Sequence, residues 1–482
     1  MQTTLNRLTS PVRSLAAGAT VALFSVLTLC LSGAVAHAQL PIVVSQNSTL
    51  GYFPGGGWSA SQTPLSGTFA VGANGDVLIT DEWGGALLDI TVSGNVTALA
   101  SVGNAGPATI DSNGNIYVAA DGYSGSIFKI PYNAATGKYA GFTTAPTSNC
   151  LGGTQDTAAC LYAPNFQSVF SNGSGYSDLA FDASGNLFIA TSTVPTANPN
   201  TIYECNTTCQ TSATGTPTLI YADTNPIGAL AVDPWGNLFF SDGNNSTGKV
   251  TQLNEIPLQS GKYASTPTVL ESYTNKAGYG NGFSGVAIGS TGTIYFATNA
   301  DGIFAIPNTQ AGGPNLAGAY GVGTGGGYGI TLDSKGNLYL VHYAGSPPSG
   351  DANYAVDQYL VNNLPLGATT IGGAATTATA TVIDSAGACT PTQTLATTQF
   401  GVATGEFTVA AGTTCSAALG TSNGTFSPAL SLTGAVTSAT VTFNPKYAGE
   451  RSAAFTIKDS TNSASGAATV TGVGQGARAA PP

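Results

Sequence analysis

Leu230-Ala-Val-Asp-Pro-Trp-Gly-Asn-Leu-Phe-Phe-Ser-Asp242 is the stretch on which the fold turns. An apolar run, an Asp-x-x-Gly-Asn turn, a second apolar run and a closing Asp read as a tight β-hairpin. The Asp233 side chain can hydrogen-bond the turn amides, and Gly236 can take the positive φ that a bulged hairpin loop requires. Apolar residues stand at consecutive positions in both flanking runs, so each strand is expected to bury both faces between neighbouring sheets. Sheets stacked face to face as blades make that demand.

Six copies of this pattern align: Phe69 to Asp81, Ala108 to Asp121, Leu179 to Thr191, Leu230 to Asp242, Val286 to Thr298 and Ile330 to His342. Their turn glycines, from Gly75 to Gly336, are spaced between 39 and 71 residues apart, close to a four-stranded blade with variable loops. A third strand follows each copy, for example Ser126 to Ile130 and Gly302 to Ile306, and a fourth follows most. The last copy lacks a fourth strand. An open ring would leave unpaired backbone groups, so the segment from Pro41 to Ser45 is expected to supply it and close the circle.

These copies resemble NHL repeats, which share the apolar strand, Asp-x-x-Gly-Asn, apolar-aromatic strand and closing Asp. Copy one departs from the pattern at Gly72 and Asp76, and copy five at Gly289 and Thr293. The resemblance implies a six-bladed β-propeller over residues 39–363. It fixes shape better than activity, because the family spans binding scaffolds and a few enzymes.

Beyond Asn363 the repeat gives way to a Thr/Ala-rich region with strand-like runs such as Ala439 to Phe443 and Ala453 to Ile457. Turns at roughly ten-residue intervals fit an Ig-like β-sandwich over residues 364–474. The stretch Val441-Thr-Phe-Asn-Pro-Lys-Tyr-Ala-Gly449 resembles Hydin-type Ig domains of exported bacterial proteins. Residues 475–482 carry no hydrophobic anchor and are expected to be disordered. The expected fold class is therefore all-β.

Residues 1–38 read as a secretory signal peptide. Arg7 and Arg13 precede an uncharged stretch, and Ala36-His-Ala38 offers a small-residue cleavage site. An uncleaved anchor is the alternative, since the stretch is just long enough to span a membrane. The chain carries a formal net charge of -11, and cleavage removes two basic residues and no acidic ones. Such a surface disfavours nucleic acid, whose phosphates need Lys and Arg. A secreted, periplasmic or cell-surface monomer is expected. Its six remaining cysteines pair most simply as nearest neighbours: Cys150 with Cys160, Cys205 with Cys209, and Cys389 with Cys415. A metal site at Cys205 and Cys209 is the lesser alternative, because no histidine lies nearby.

Chemistry is sparse. The mature chain has one histidine, His342, so no catalytic residue is assigned. Propeller lactonases resembling the gluconolactonase family hold a divalent cation with oxygen ligands at the channel mouth. Asp81, Asp121 and Asp242, at or near equivalent strand ends, are the candidates for such a site, with calcium as a fitting ion. Asp111, Asp182, Asp233 and Asp333 belong to the opposite hairpin end and are read as turn residues. That side is expected to be short and uniform.

The other side concentrates Gly with aromatics, and Trp83, Tyr176, Phe283 and Tyr328 are its candidate ligand-binding rings. Packing between blades is the competing role for such rings. The favoured expectation is an exported, non-catalytic propeller that binds an extracellular protein, peptide or glycan without a cofactor. A metal-dependent lactonase or hydrolase and a structural envelope protein are the alternatives.

Overall fold

Antiparallel meanders make up most of the molecule. The computed structural model describes residues 42–476 apart from 55–68, 82–84, 92, 104, 121–125, 151–155, 163–173, 194–199, 207–208, 210–215, 244–249, 276–281, 300, 317–318, 325–326, 344–351, 385–390, 397–404, 412–415, 418–423, 428–434 and 460–464. The expected signal peptide and the last six residues of the tail lie outside the described residues, as do Trp83, Asp121, Cys389 and Cys415.

Each hairpin of the repeat opens a four-stranded sheet. The fourth, taken as representative, runs Ile227–Val232, Leu238–Gly243, Val250–Ile256 and Thr268–Asn275, each strand antiparallel to the next. Its second strand is buried at every position, as consecutive apolar residues between two sheets require. The first strands of successive sheets touch one another in a ring that runs back from Gly329–Leu332 in the last sheet to Phe69–Val71 in the first. The fold is a β-propeller.

The last meander, Gly329–Leu332, Leu338–Tyr343 and Ala352–Val361, takes its fourth strand from the N-terminal segment Ile42–Pro54. This closing strand is longer than the sequence pattern suggests. Its first residues also pair with Thr376–Asp384, Ile42 opposite Val382 and Val43 opposite Thr381. One sheet therefore continues from the propeller into the C-terminal domain.

That domain is a two-sheet sandwich. Asn363–Thr370, Ser465–Gln475, Gly449–Asp459 and Pro391–Ala396 form one sheet, and Thr376–Asp384, Ala435–Phe443 and Phe407–Ala411 the other. Leu364, Leu366 and Val470 from the first meet Phe407, Val441 and Phe443 from the second in one core. At its edge Glu406 is fully buried and binds Arg451 with both Nε (3.1 Å) and Nη2 (3.0 Å).

The Asp-x-x-Gly-Asn turns show why the repeat uses these residues. Asp233 Oδ1 accepts hydrogen bonds from the backbone N–H groups of Trp235 and Asn237, both at 2.9 Å, and Oδ2 accepts from Asn237 Nδ2 at 2.8 Å. Asp111, Asp182 and Asp333 repeat the pattern. Gly236 takes φ 92°, a left-handed value that a side chain would strain. Gly72 and Gly289 replace the Asp in copies one and five and keep the backbone bonds of the turn, with side-chain bonds between Asn74 and Asp76 and between Thr291 and Thr293 in place of those of the Asp.

The turn side is not short and uniform, contrary to the sequence expectation. After the third strand, sheets two, four and five each carry an extra small hairpin: Tyr132–Asn133 with Lys138–Tyr139, Leu258–Gln259 with Lys262–Tyr263, and Asn308–Thr309 with Gly313–Pro314. Each reaches the sheet before it. Tyr139 Oη accepts from Ala73 N at 2.9 Å, the Tyr263 ring meets Phe188 edge-on at 5.8 Å, and Asn308 Nδ2 donates to Asp233 Oδ2 at 3.3 Å. These brackets lock neighbouring blades on the turn side.

Asp233 therefore serves both its own turn and the next blade. It is buried, whereas Asp182 in the equivalent turn is partly exposed. Asp233→Ala is expected to cost about 2 kcal/mol, because it orphans several buried donors at once, and Asp182→Ala clearly less. Urea unfolding of the two variants side by side checks the order.

Candidate functional site

On the face opposite the turns, the ends of the second strands carry a polar residue in most sheets, and the structure commits these to partners inside the protein. Thr191 Oγ1 bonds Thr201 Oγ1 at 2.7 Å. Thr298 Oγ1 accepts from Asp301 N at 3.1 Å, and Asp301 in turn accepts from Tyr273 Oη at 2.5 Å. His342 Nε2 lies 3.0 Å from Asp357 Oδ2 on the neighbouring strand, with Asp357 buried. These bonds tie the strand ends of this face to their neighbours. None requires a ligand.

Asp242 stands near the end of the second strand of the fourth sheet. It is buried, and burial together with the adjoining Asp223 carboxyl pushes its pKa up to about 7, with Asn254 acting in the opposite sense. Asp223 belongs to the last strand of the third sheet, Thr218–Asp223, and accepts from Tyr221 Oη and from Asn225 N, both at 2.9 Å. Two carboxyl groups thus face each other across the junction of sheets three and four. A proton on Asp242 relieves their repulsion.

Asp81 ends the second strand of the first sheet, Val77–Asp81. Among the described residues, one group of three potential ligand atoms lies within 4.8 Å: Cys150, Asp156 and Cys160. Both of its cysteines are already bonded to each other. Cys205 and Cys209 are likewise bonded, with Cα atoms 5.2 Å apart, so neither pair offers thiolates to a metal.

The aromatic candidates separate. Tyr176 is 2% exposed in the core between sheets two and three, among Tyr117, Tyr162 and Leu179. Phe283 is 5% exposed between sheets four and five and packs on Tyr273, Phe296 and Phe426. These two rings are core, which corrects the reading of them as ligand platforms. Each belongs to a first strand with a register shift beside it, Tyr176/Asp178 and Phe283/Gly285, and the irregular backbone turns the ring inward. Tyr328 is half-buried against the cluster of Phe69 and Val341.

The first strands of all six sheets line a central cavity of about 230 Å³. Asp178 is the one carboxyl in its wall, and it is satisfied: Oδ1 accepts from Leu179 N at 2.8 Å and Oδ2 from Leu230 N at 2.7 Å. Burial holds its pKa well above the usual range. It staples the third blade to the fourth.

Sequence reasoning missed Asp223, which carries no repeat signal, and Phe426, an isolated ring in a Gly/Ser/Thr-rich stretch. The strand-end position of Asp242 was legible. Its partner on another sheet was not.

No sequence-family model and no curated protein matches the chain. Among solved structures it is similar to virginiamycin B lyase from Staphylococcus aureus, at 14% identity over 65% of this chain and 98% of that one, with a TM-score of 0.37. It is also similar to the PQQ domain of pyranose dehydrogenase from Coprinopsis cinerea, at 9% identity over 67% and 97%, TM-score 0.36. PorZ, a surface component of the type-IX secretion system of Porphyromonas gingivalis, is a third, at 10% identity over 84% and 51%, TM-score 0.36. These likenesses concern the fold alone.

The raised carboxyls make stability depend on pH. Asp242 and Glu271 are pushed up to about 7, both by burial and Asp242 also by Asp223; Asp89 is pushed up to about 6 by burial and by Asp76. A carboxyl whose pKa is raised on folding holds its proton more tightly in the native state. Its contribution is complete below the unfolded value near 4 and is lost as pH rises through 6 to 7. Thermal melting is expected to occur at higher temperature at pH 5 than at pH 8, and Asp242→Asn to flatten the profile. A melting temperature that rises over this interval would contradict the assignment.

Proposed function

We propose that the chain is an exported, six-bladed propeller of the NHL type, joined to an Ig-like domain, that binds an extracellular protein, peptide or glycan without catalysing a reaction. One observation carries this reading. Polar strand-end residues on the loop face are bonded within the protein, as in Thr191 with Thr201, Thr298 with Asp301 and His342 with Asp357. Such bonding suits a rigid presentation surface, where strand ends fixed in advance lower the entropy lost on binding. The two disulfides are in keeping with export. No helix among the described residues is long and apolar enough to cross a membrane.

The channel-mouth hydrolase with Asp81, Asp121 and Asp242 keeps one observation in its favour. Burial and the adjoining Asp223 carboxyl push the Asp242 pKa up to about 7, close to where a general acid or base is most effective. Glycan and peptide arrays probed with residues 39–482, in calcium and in chelator, separate the two readings. Binding that survives chelation, with no lactone hydrolysis, supports the scaffold. Calcium-dependent hydrolysis that Asp242→Asn abolishes overturns it.

A further inference from the structure

The junction of the third and fourth blades gathers polar groups that have no charge partner. In the fourth sheet Phe240 stands opposite Asn254 and Asp242 opposite Gln252, so these four side chains share one face. Phe240 identifies that face. It packs in the core between the third and fourth sheets with Ala190 and Ile202, and its ring lies 5.4 Å from that of Tyr221. Asp242, Asn254 and Gln252 are therefore turned toward the third sheet, whose last strand ends in Tyr221, Ala222 and Asp223. The Asp223 carboxyl and the Asn254 amide both reach the Asp242 carboxyl.

A shared proton or a cation must stand between two carboxyls this close. Neither has a Lys, Arg or His partner among the described residues. Asp242 is 6% exposed and Asn254 1%, yet Asp242 Oδ1 and Asn254 Nδ2 have no hydrogen-bond partner. Buried polar atoms are nearly always bonded, and two orphans at one spot call for a further partner. Access is open from one side: Asp223 is half-buried, and Ala222 and Thr224 beside it are exposed.

The donor set selects the ion. Two carboxylates and an amide are hard oxygen donors, and among the described residues no Cys or His joins them, which suits calcium and not zinc. Turning the Asn254 amide over presents its Oδ1 to the ion in place of Nδ2. Gln252 and water can complete the roughly six to eight oxygens that calcium takes. Tyr221 Oη and Asn225 N, each 2.9 Å from an Asp223 oxygen, orient that carboxylate from behind.

We propose that Asp223, Asp242 and Asn254 form a calcium site that ties the third blade to the fourth. Because its ligands come from two blades, the ion acts as a cross-link. It is distinct from the channel-mouth site of Asp81, Asp121 and Asp242, since it draws on Asp223 and on neither Asp81 nor Asp121. Its role is structural, and it stands whether or not the loop face binds anything.

The test uses chelator-treated residues 39–482 at pH 8, with calcium alone and with terbium as a luminescent substitute. The Tyr221 hydroxyl bonds Asp223 directly, so its ring is placed to pass excitation energy to the ion. Tyrosine-sensitised terbium emission that calcium suppresses by competition is expected, and calcium is expected to raise the melting temperature. Asp223→Asn is expected to weaken calcium binding by at least about tenfold, since affinity follows the number of charged ligands. Tyr221→Phe is expected to cut the emission severalfold while calcium still binds.

A melting temperature that calcium leaves unchanged overturns the proposal, as does an Asp223→Asn protein that binds calcium as tightly as the wild type. Loss of the calcium response in Asp81→Asn but not in Asp223→Asn places the ion at the channel mouth and refutes the junction site. If Asp223→Asn does not fold, the emission of Tyr221→Phe decides, and emission equal to that of the wild type puts the ion elsewhere. These readouts are ion binding and melting, so a failure here leaves the glycan and peptide reading untouched.

Discussion

Deleting residues 42–54 is expected to abolish the cooperative unfolding transition of the propeller. The segment is the fourth strand of the last sheet, paired from Val43 opposite Val361 to Pro54 opposite Ala352 with three register shifts along the way. Each ladder hydrogen bond is worth about 1 kcal/mol net, and the deletion removes the whole row together. It also bares the edge of Ala352–Val361 at the point where the ring closes, and it cuts the pairing of Ile42 and Val43 with the sandwich strand Thr376–Asp384. Near-ultraviolet circular dichroism on heating reads the effect. Adding residues 42–54 back as a peptide is expected to restore the transition in part, which distinguishes a missing strand from a damaged chain. An unchanged melting temperature in the deletion variant would show that the closing pairing contributes little.

Glu406→Ala is expected to unfold the sandwich well before the propeller. The Glu406 carboxylate is fully buried, with Oε1 accepting from Lys446 N at 2.7 Å and Tyr447 N at 3.3 Å, and Oε2 accepting from the Arg451 guanidinium. The same residue's carbonyl accepts from Asn444 N at 2.7 Å, and Arg451 lies 5.6 Å over the Tyr447 ring. Truncating one partner of a buried pair leaves the other charge without compensation and costs about 3 to 5 kcal/mol. Replacing both, as Glu406→Leu with Arg451→Met, is expected to recover much of that loss, because the burden is the orphaned charge. Denaturant titration of the single and double variants measures the difference. Equal losses in the two would locate the effect in the turn amides of Lys446 and Tyr447 instead.

The repeat was legible because its turn advertises itself. Asp233 and Gly236 are both demanded by local geometry, and the buried strands on either side need no distant partner to be recognised. The brackets from Tyr132 to Tyr139 and from Leu258 to Tyr263 were not legible, since their strands are two residues long and have no apolar period. Tyr176 and Phe283 misled for a related reason. Glycines around them look like loop, yet each ring stands on a first strand whose irregular register turns it into the core. Asp223 with Asp242 and Phe426 with Tyr273 are meetings between distant segments, and no spacing within one segment encodes them. The candidate site was therefore readable as a set of strand ends, and its bonding only from the assembled ring.

The closing strand also sets a timetable. Val43 is synthesised before its partner Val361, which follows about 320 residues later and at about 5 to 20 residues per second arrives roughly 15 to 60 s after it. Throughout that interval the ring has no means of closing, and the earliest strand waits for the last blade. Closure is then followed within about 20 residues by the sandwich strand that reaches Asp384, so the same segment receives both of its neighbours almost together. A ring built this way stays open until its last blade has been made, and the two pairings of its closing strand fall almost at one moment and in one place.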